Sequence, residues 1–286
     1  MSTIEPIDNN DKIESVLNGV KIPPQPKVLT ELSEQARLGF PNMQVVAQII
    51  STDIGLSAAV LKIINSPFYG LPQTVSSIQQ AVMLLGAGNL MNIVTSASLR
   101  QTIKGKGSIS IEKFWARAAD IANLCMGIAR TCHFNKLDDF YALGLFHDCG
   151  VVLLAQKFPN YKEAQAKSNT SHTRITDVED AFFQTDHATI GYFLSKSWHL
   201  PEAVTHAIRD HHDLDNLILP GAENDDRNGM MAVLRMATNI YFSATRISAE
   251  PEWEIIGNKI LDYMQILPDD YEDMIQDMTD RLANSR

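Results

Sequence analysis

Cysteine is scarce: only three occur, Cys125, Cys132 and Cys149, with no CxxC spacing, which argues against both a disulfide framework and a thiolate zinc knuckle. The first two stand seven residues apart, on one helical face, and read as small buried hydrophobes in a reducing compartment. Basic residues are outnumbered, 24 Lys+Arg against 34 Asp+Glu, which leaves a formal charge of −10. Such a surface repels phosphate backbones unless a local basic patch forms, so no nucleic-acid partner is expected. A patch would need Arg100, Lys104 and Lys106 to act together beside Lys104-Gly105-Lys106-Gly107-Ser108, a stretch that reads instead as a solvated connector. No run reaches the ~18 unbroken apolar residues of a membrane span. The most apolar stretch, 45–64, is interrupted by Asp53 and by small polar residues, so no membrane partner is expected. The opening MSTIEPIDNNDK carries three acids and resembles neither a secretory signal nor an Arg-rich transit peptide, which points to the cytoplasm. GxSxG, GxxxxGK(S/T) and HExxH are all missing, and with them the commonest hydrolase elbow, phosphate loop and zinc-protease helix.

What is present is apolar residue at helical spacing. The chain is 45% hydrophobic, with few alternating β-branched runs that could form strands, so an all-α fold of about a dozen helices is expected. Asp8 is positioned to cap a first helix to about residue 18, and the Pro-rich 22–26 then forces an extended connection before a helix over 28–38. Val45, Val46, Ile49 and Ile50 mark the next, and Asp53 caps one carrying Leu56, Val60, Leu61, Ile63 and Ile64. After Asn65-Ser66-Pro67-Phe68-Tyr69-Gly70, Ser77 starts a helix over 78–85, and Gly86-Ala87-Gly88 turns the chain into 90–103. Those glycines are no dinucleotide fingerprint, because its third glycine would fall at Met91. Beyond the connector, helices are expected over 111–133 and 139–156, then from a capping box at Thr176-Asp177-Val178-Glu179 to Phe183, and over 187–197, with Pro201 in the first turn of another. Residues 213–228, with Pro220-Gly221 and five acids, read as an exposed loop, and helices follow over 230–248, 254–266 and 269–282. The last carries Tyr271, Met274, Ile275, Met278 and Leu282 on one face, a stripe that needs covering, by the chain's own core or by a partner groove.

The chemistry concentrates in the second half. His147-Asp148 joins an imidazole to a carboxylate, ligands that suit borderline and hard divalent cations. His187 opens a helix and His211-His212 closes one, so four imidazoles and a carboxylate recur at helix ends. Buried core histidines, or histidines satisfying the carbonyls at a helix C-terminus, are the competing reading.

These residues resemble a known family. The run 46–53 followed by Leu61, Asn65-Ser66 and Phe68-Tyr69-Gly70, then 77–81 with Leu85-Gly86, and finally Trp198-His199-Leu200-Pro201-Glu202 with Ala207-Ile208 and His211-His212, is similar to the HDOD domains. The likeness spans about 22–212 and implies a multi-helical HD-domain-like fold of two packed helical lobes, related to metal-dependent phosphohydrolases. It divides the chain into an N-terminal helix (1–21), an HDOD domain (22–215, its first lobe to about 105 and its HD-like lobe from about 108), and an acidic loop with C-terminal helices packing on that lobe (216–286). An HD phosphohydrolase would also carry an earlier histidine and a later aspartate. Here Arg117 stands where the resemblance calls for the first, and Thr238 or Asn239 for the second. The fixed charge of Arg117 competes with a cation, and an Arg117–Asp148 ion pair is expected in place of metal. The sequence is also similar to HD-GYP enzymes at His187 and His211-His212, residues that bind additional metals there, yet no Gly-Tyr-Pro follows.

The resulting expectation is a signalling module that engages another signalling protein and is not itself a catalyst. The metal candidates are His147, Asp148, His187, His211 and His212, for Mn, Fe, Ni or Zn if any ion is held, and no other cofactor is expected. The alternative is a metal-dependent phosphohydrolase acting on a nucleotide or other phosphate ester, with Arg117 neutralising phosphate.

Overall fold

A computed structural model describes residues 16–65, 71–104, 107–171, 173–213, 226–245 and 250–285. Fourteen helices and no strand occur among the described residues. Most of the expected first helix from Asp8, the Phe68-Tyr69-Gly70 motif, Lys106 and most of the 213–228 loop lie outside them.

The first lobe is built from α1 (Lys27–Arg37), α2 (Met43–Ser51), α3 (Ile54–Ile64) and α4 (Ile78–Thr102). Three of its four starts carry polar caps: Asn42 accepts from the backbone N–H groups of Gln44 and Val45, Asp53 from that of Leu56, and Ser77 from that of Gln80. Within α4 two helical segments meet at a kink at Gly86, where the turn is expected, and its φ of 73° suits a residue without Cβ. Leu29, Leu32, Ile50, Leu56, Val60, Ile64, Ile93 and Val94 fill the space between these helices. Among the described residues no helix is long and apolar enough to cross a membrane, and the most apolar pair, α2 with α3, is bent by 116°.

The second lobe contains α5 (Ile111–Thr131), α6 (Leu137–Phe146), α7 (Cys149–Lys157), α8 (Tyr161–Ser171), α9 (Ile175–Phe183), α10 (His187–Ser197) and α11 (Glu202–Asp210). The expected single helix over 139–156 is in fact two, broken at His147-Asp148. Pro201 is the N-cap of α11 and lies just outside its first turn. The extended N-terminal stretch crosses to this lobe, where the Trp198 indole donates to the Pro23 carbonyl (3.0 Å) and Gln25 to the Trp198 carbonyl (2.8 Å).

The chain ends in α12 (Asp226–Thr245), α13 (Pro251–Met264) and α14 (Pro268–Ser285). α12 is buried along most of its length and lies against α5, α6 and α11. α14 covers α12 and α5 with Tyr271, Met278 and Leu282, so its apolar stripe meets the chain's own core. Cys125 and Cys149 are buried and Cys132 half-buried, all as free thiols.

Candidate metal centre

The centre forms where helix ends converge. His147 is the C-cap of α6, Asp148 the N-cap of α7, His187 the first residue of α10, and His211 the C-cap of α11. Two glycines allow this approach. A Cβ at Gly144 would lie 2.6 Å from the Ala122 Cα of α5, and one at Gly150 only 2.0 Å from the His187 carbonyl oxygen. α6 can therefore seat directly on α5, and the start of α7 on the start of α10. Asp186 fixes that start by accepting from the Thr189 N–H at 2.9 Å and its hydroxyl at 2.7 Å.

Ligand atoms of Asp148, His187, His211 and His212 lie within 4.8 Å of one another. The His187 Nε2 is 3.2 Å from that of His211 and 3.1 Å from that of His212, and Asp148 Oδ1 is 3.6 Å from the Nε2 of both His187 and His211. Each imidazole is held from behind through Nδ1: His187 by Glu179 (2.6 Å), His211 by the Ile208 carbonyl (2.6 Å), and His212 by Glu252 (3.0 Å). These partners fix Nδ1 as the protonated nitrogen and turn three Nε2 lone pairs toward one point, the arrangement metal-binding histidines require. Ligands about 2.1 Å from a common ion stand about 3.0–3.4 Å apart, and the Nε2 separations match. The residues present fit a divalent cation.

His147 stands beside this group and outside it. Its Nδ1 faces the Gly144 carbonyl at 2.8 Å, and its Nε2 lies 3.4 Å from Asp148 Oδ2, the oxygen turned away from the other histidines. Arg117 of α5 forms an ion pair with that same oxygen. Of the late residues, Thr238 bonds to the Arg235 carbonyl and to Glu250, and Asn239 to the Tyr271 hydroxyl, so neither reaches the centre. α12 contributes instead through Arg235, which pairs with Glu252 at 2.5 Å behind His212.

Electrostatics differ sharply among the three histidines. Burial alone would lower His187, but Glu179, Asp148 and Asp186 overcome it and push the imidazole up to about 9. Burial and the neighbouring imidazoles lower His211 to about 3, against the pull of Asp148. Burial likewise lowers His212 to about 4 although Glu252 opposes it. Asp148 is held well below the usual carboxylate range, because His147 and Arg117 outweigh its burial. Of the three, only His187 is driven toward its charged form, and a cation bound at this point would have to displace the proton it carries.

In the sequence Glu179 stands out only as the end of a capping box, and Glu252 does not stand out at all. The expected capping box is not formed: Arg174 holds the N-cap of α9 with no side-chain cap bond, and Glu179 is fully buried, accepting from the Tyr161 hydroxyl and from the backbone N–H of His187 (2.9 Å). The available signal was an acid on an apolar helix face, one turn before Phe183. Glu252, after Pro251 in a helix first turn, resembles any acid at such an end.

The HDOD domain profile matches residues 22–214. Over 253 residues the chain is 27% identical to an uncharacterised protein of Treponema pallidum (strain Nichols), covering 86% of this chain and 46% of that one. The chain therefore spans about half the length of this curated relative. Among solved structures it resembles a candidate phosphohydrolase from Shewanella amazonensis SB2B, with a TM-score of 0.72 and 20% identity over 95% of this chain and 98% of that one. A candidate signal transduction protein from Marinobacter aquaeolei VT8 gives a TM-score of 0.69 and 20% identity, over 94% of this chain and 59% of that one. These likenesses show the fold.

Proposed function

The chain belongs to the HDOD domain family, and from that premise we propose that it is a regulatory module, acting through contacts with another signalling protein, in which Asp148, His187, His211 and His212 hold one divalent cation as a structural ion. The observation that carries this reading is the Arg117–Asp148 ion pair. A hydrolytic metal centre keeps a coordination position open for water, whereas a structural one is closed by four protein ligands. With Oδ1 facing the histidines and Oδ2 bound to Arg117, the carboxylate has no oxygen left to bridge a second metal or to position a nucleophile. When bound, the cation supplies a positive centre that locks the ends of α7, α10 and α11 together. His187, His211 and His212 supply neutral nitrogens, and Glu179 and Glu252 keep their rings aimed inward. Six exposed apolar side chains on the first lobe, Leu38, Phe40, Met43, Ile54, Met83 and Leu84, support a protein-contact role, as does the signal-transduction description of the Marinobacter neighbour.

Elemental analysis of tag-free protein purified without chelator, paired with a phosphate-ester screen in manganese, nickel, iron and zinc, tests both halves. The expected result is near-stoichiometric metal, lost in folded Asp148→Ala and His187→Ala variants, with no metal-dependent turnover. Absence of metal under every condition would remove the ion from the reading.

A phosphohydrolase is the second reading. One observation favours it: Arg117 is about one-third exposed beside the centre, positioned to neutralise a phosphate group. Manganese- or nickel-dependent turnover lost in Asp148→Ala would establish it over the first.

A further inference from the structure

Away from the histidines, a second cluster of charge lies where the two lobes meet. A cleft of about 410 Å³ opens between α3 and α4 on one side and α5 and α6 on the other. Lys62, Arg100 and Lys104 line it, and among the described residues no acid does. The chain as a whole carries ten more negative than positive side chains, so three cations converging on one concavity run against its general charge. Lys62 and Lys104 are exposed, and neither forms an ion pair among the described residues. Arg100 sits deeper. One of its terminal nitrogens donates to the Trp115 carbonyl at 3.1 Å, while its Nε is buried without a hydrogen-bond partner. Burial lowers its guanidinium, against the pull of Tyr141 and of Asp120 nearby. A desolvated cation with a spare donor is costly unless an anion completes it.

The rest of the cleft is suited to a small organic molecule. Ala59, Ile63, Ala97 and Ala119 make a low apolar wall, and the amides of Gln101 and Asn123 offer donors and acceptors beside it. Ligand pockets commonly enclose about 300–1,000 Å³ and combine an apolar lining with a few convergent polar groups. Ala119 is two residues from Arg117, which faces Asp148, so this cleft and the metal centre lie on different faces of α5.

We propose that the inter-lobe cleft is a binding site for a phosphate monoester of about mononucleotide size, its phosphate held by Arg100, Lys62 and Lys104. Because the walls belong to both lobes, such a ligand would bridge them, and its occupancy would be felt by the relative packing of the two. The inference is independent of the metal reading.

Isothermal titration of the full chain, with metal removed by chelator, tests it with four probes: inorganic phosphate, AMP, glucose 6-phosphate and adenosine. The expected result is one-to-one binding of at least one phosphate ester, weaker or no binding of inorganic phosphate, and none of adenosine. AMP alone would mark the ligand as a nucleotide, and equal binding of both esters as a phosphate ester in general. The Lys62→Ala/Lys104→Ala double variant should weaken binding by at least about tenfold. Both side chains are exposed, so its melting temperature should match the wild type. Asp148→Ala should bind within about twofold of wild type. The proposal is overturned if no ester binds at about 10 mM, if adenosine binds as well as AMP, if the double variant binds unchanged, or if Asp148→Ala abolishes binding.

Discussion

Glu179→Gln is the most informative single change in the metal centre. The wild-type side chain receives the Tyr161 hydroxyl on one oxygen and both the backbone N–H and Nδ1 of His187 on the other. Glutamine keeps the shape and one acceptor. With its oxygen toward His187, the bond to the ring becomes neutral and loses about half its strength, and the amide nitrogen meets the Tyr161 hydroxyl. Outer partners of metal-binding histidines contribute about 10–100-fold to affinity, so zinc or manganese should bind weaker by that factor, or about 1.4–2.7 kcal/mol. Metal-free stability should fall by about 1–3 kcal/mol. Chelator-competition titration reads the first quantity and thermal unfolding in chelator the second. Tyr161→Phe separates them, because it removes only the donor to the far oxygen: stability should drop comparably while metal affinity stays within about threefold. A folded Glu179→Gln protein that binds metal as tightly as wild type would refute the idea that this carboxylate orients His187 for a cation.

Gly150→Ala should be among the most damaging small substitutions, since the new Cβ meets the His187 backbone, which cannot rotate away. A loss of about 3 kcal/mol or more in denaturant unfolding is expected, together with loss of metal, and a near-neutral effect would contradict the packing described. Arg117→Ala frees Asp148 Oδ2 and removes a competing cation, so metal affinity should rise by about tenfold in the same competition assay, where a fall would count against competition. Burial raises the carboxyl of Glu250 although Arg235 pulls it down. The folded state therefore holds more protons than the unfolded one above the ordinary glutamate range, and this contribution to stability is lost as pH rises through the raised value. The melting temperature of wild type minus that of Glu250→Gln should decline as pH rises above the ordinary glutamate range, and a rising difference would invert the assignment. Burial raises the thiols of Cys125, Cys132 and Cys149, so labelling by a thiol reagent should be slow in native protein and complete on unfolding. Rapid native labelling of Cys125 or Cys149 would show that the core opens.

Much of the fold is local and hence legible. Asn42, Asp53, Ser77 and Asp186 each cap the helix that follows because a short polar side chain answers a free N–H within its own turn. Where the reading failed, competition with distant groups decided the outcome. Periodicity predicts one helix over 139–156, but the chain breaks at His147-Asp148, between the close contacts of Gly144 with α5 and of Gly150 with α10. Thr176 to Glu179 has the spacing of a capping box, yet Tyr161 and His187 offer Glu179 stronger donors in the interior.

The candidate site divides in the same way. Residue type alone marks His147, Asp148, His187, His211 and His212, since imidazole and carboxylate are ligands wherever they stand. Spacing cannot say which of their atoms meet. Asp148 turns one oxygen to three imidazoles and the other to Arg117 and His147, and this partition depends on the directions in which α5, α7, α10 and α11 enter one point. The inter-lobe cleft is less legible still. Lys62, Arg100 and Lys104 look like ordinary solvated charges in the chain, and only the packing of α3 and α4 against α5 and α6 gathers them and half-buries one. Most helices and all the donors are legible in the chain, because backbone capping and ligand chemistry act at short range. Tertiary structure decided which donors share a centre, because charge and lone pairs act through space between residues that the chain holds far apart.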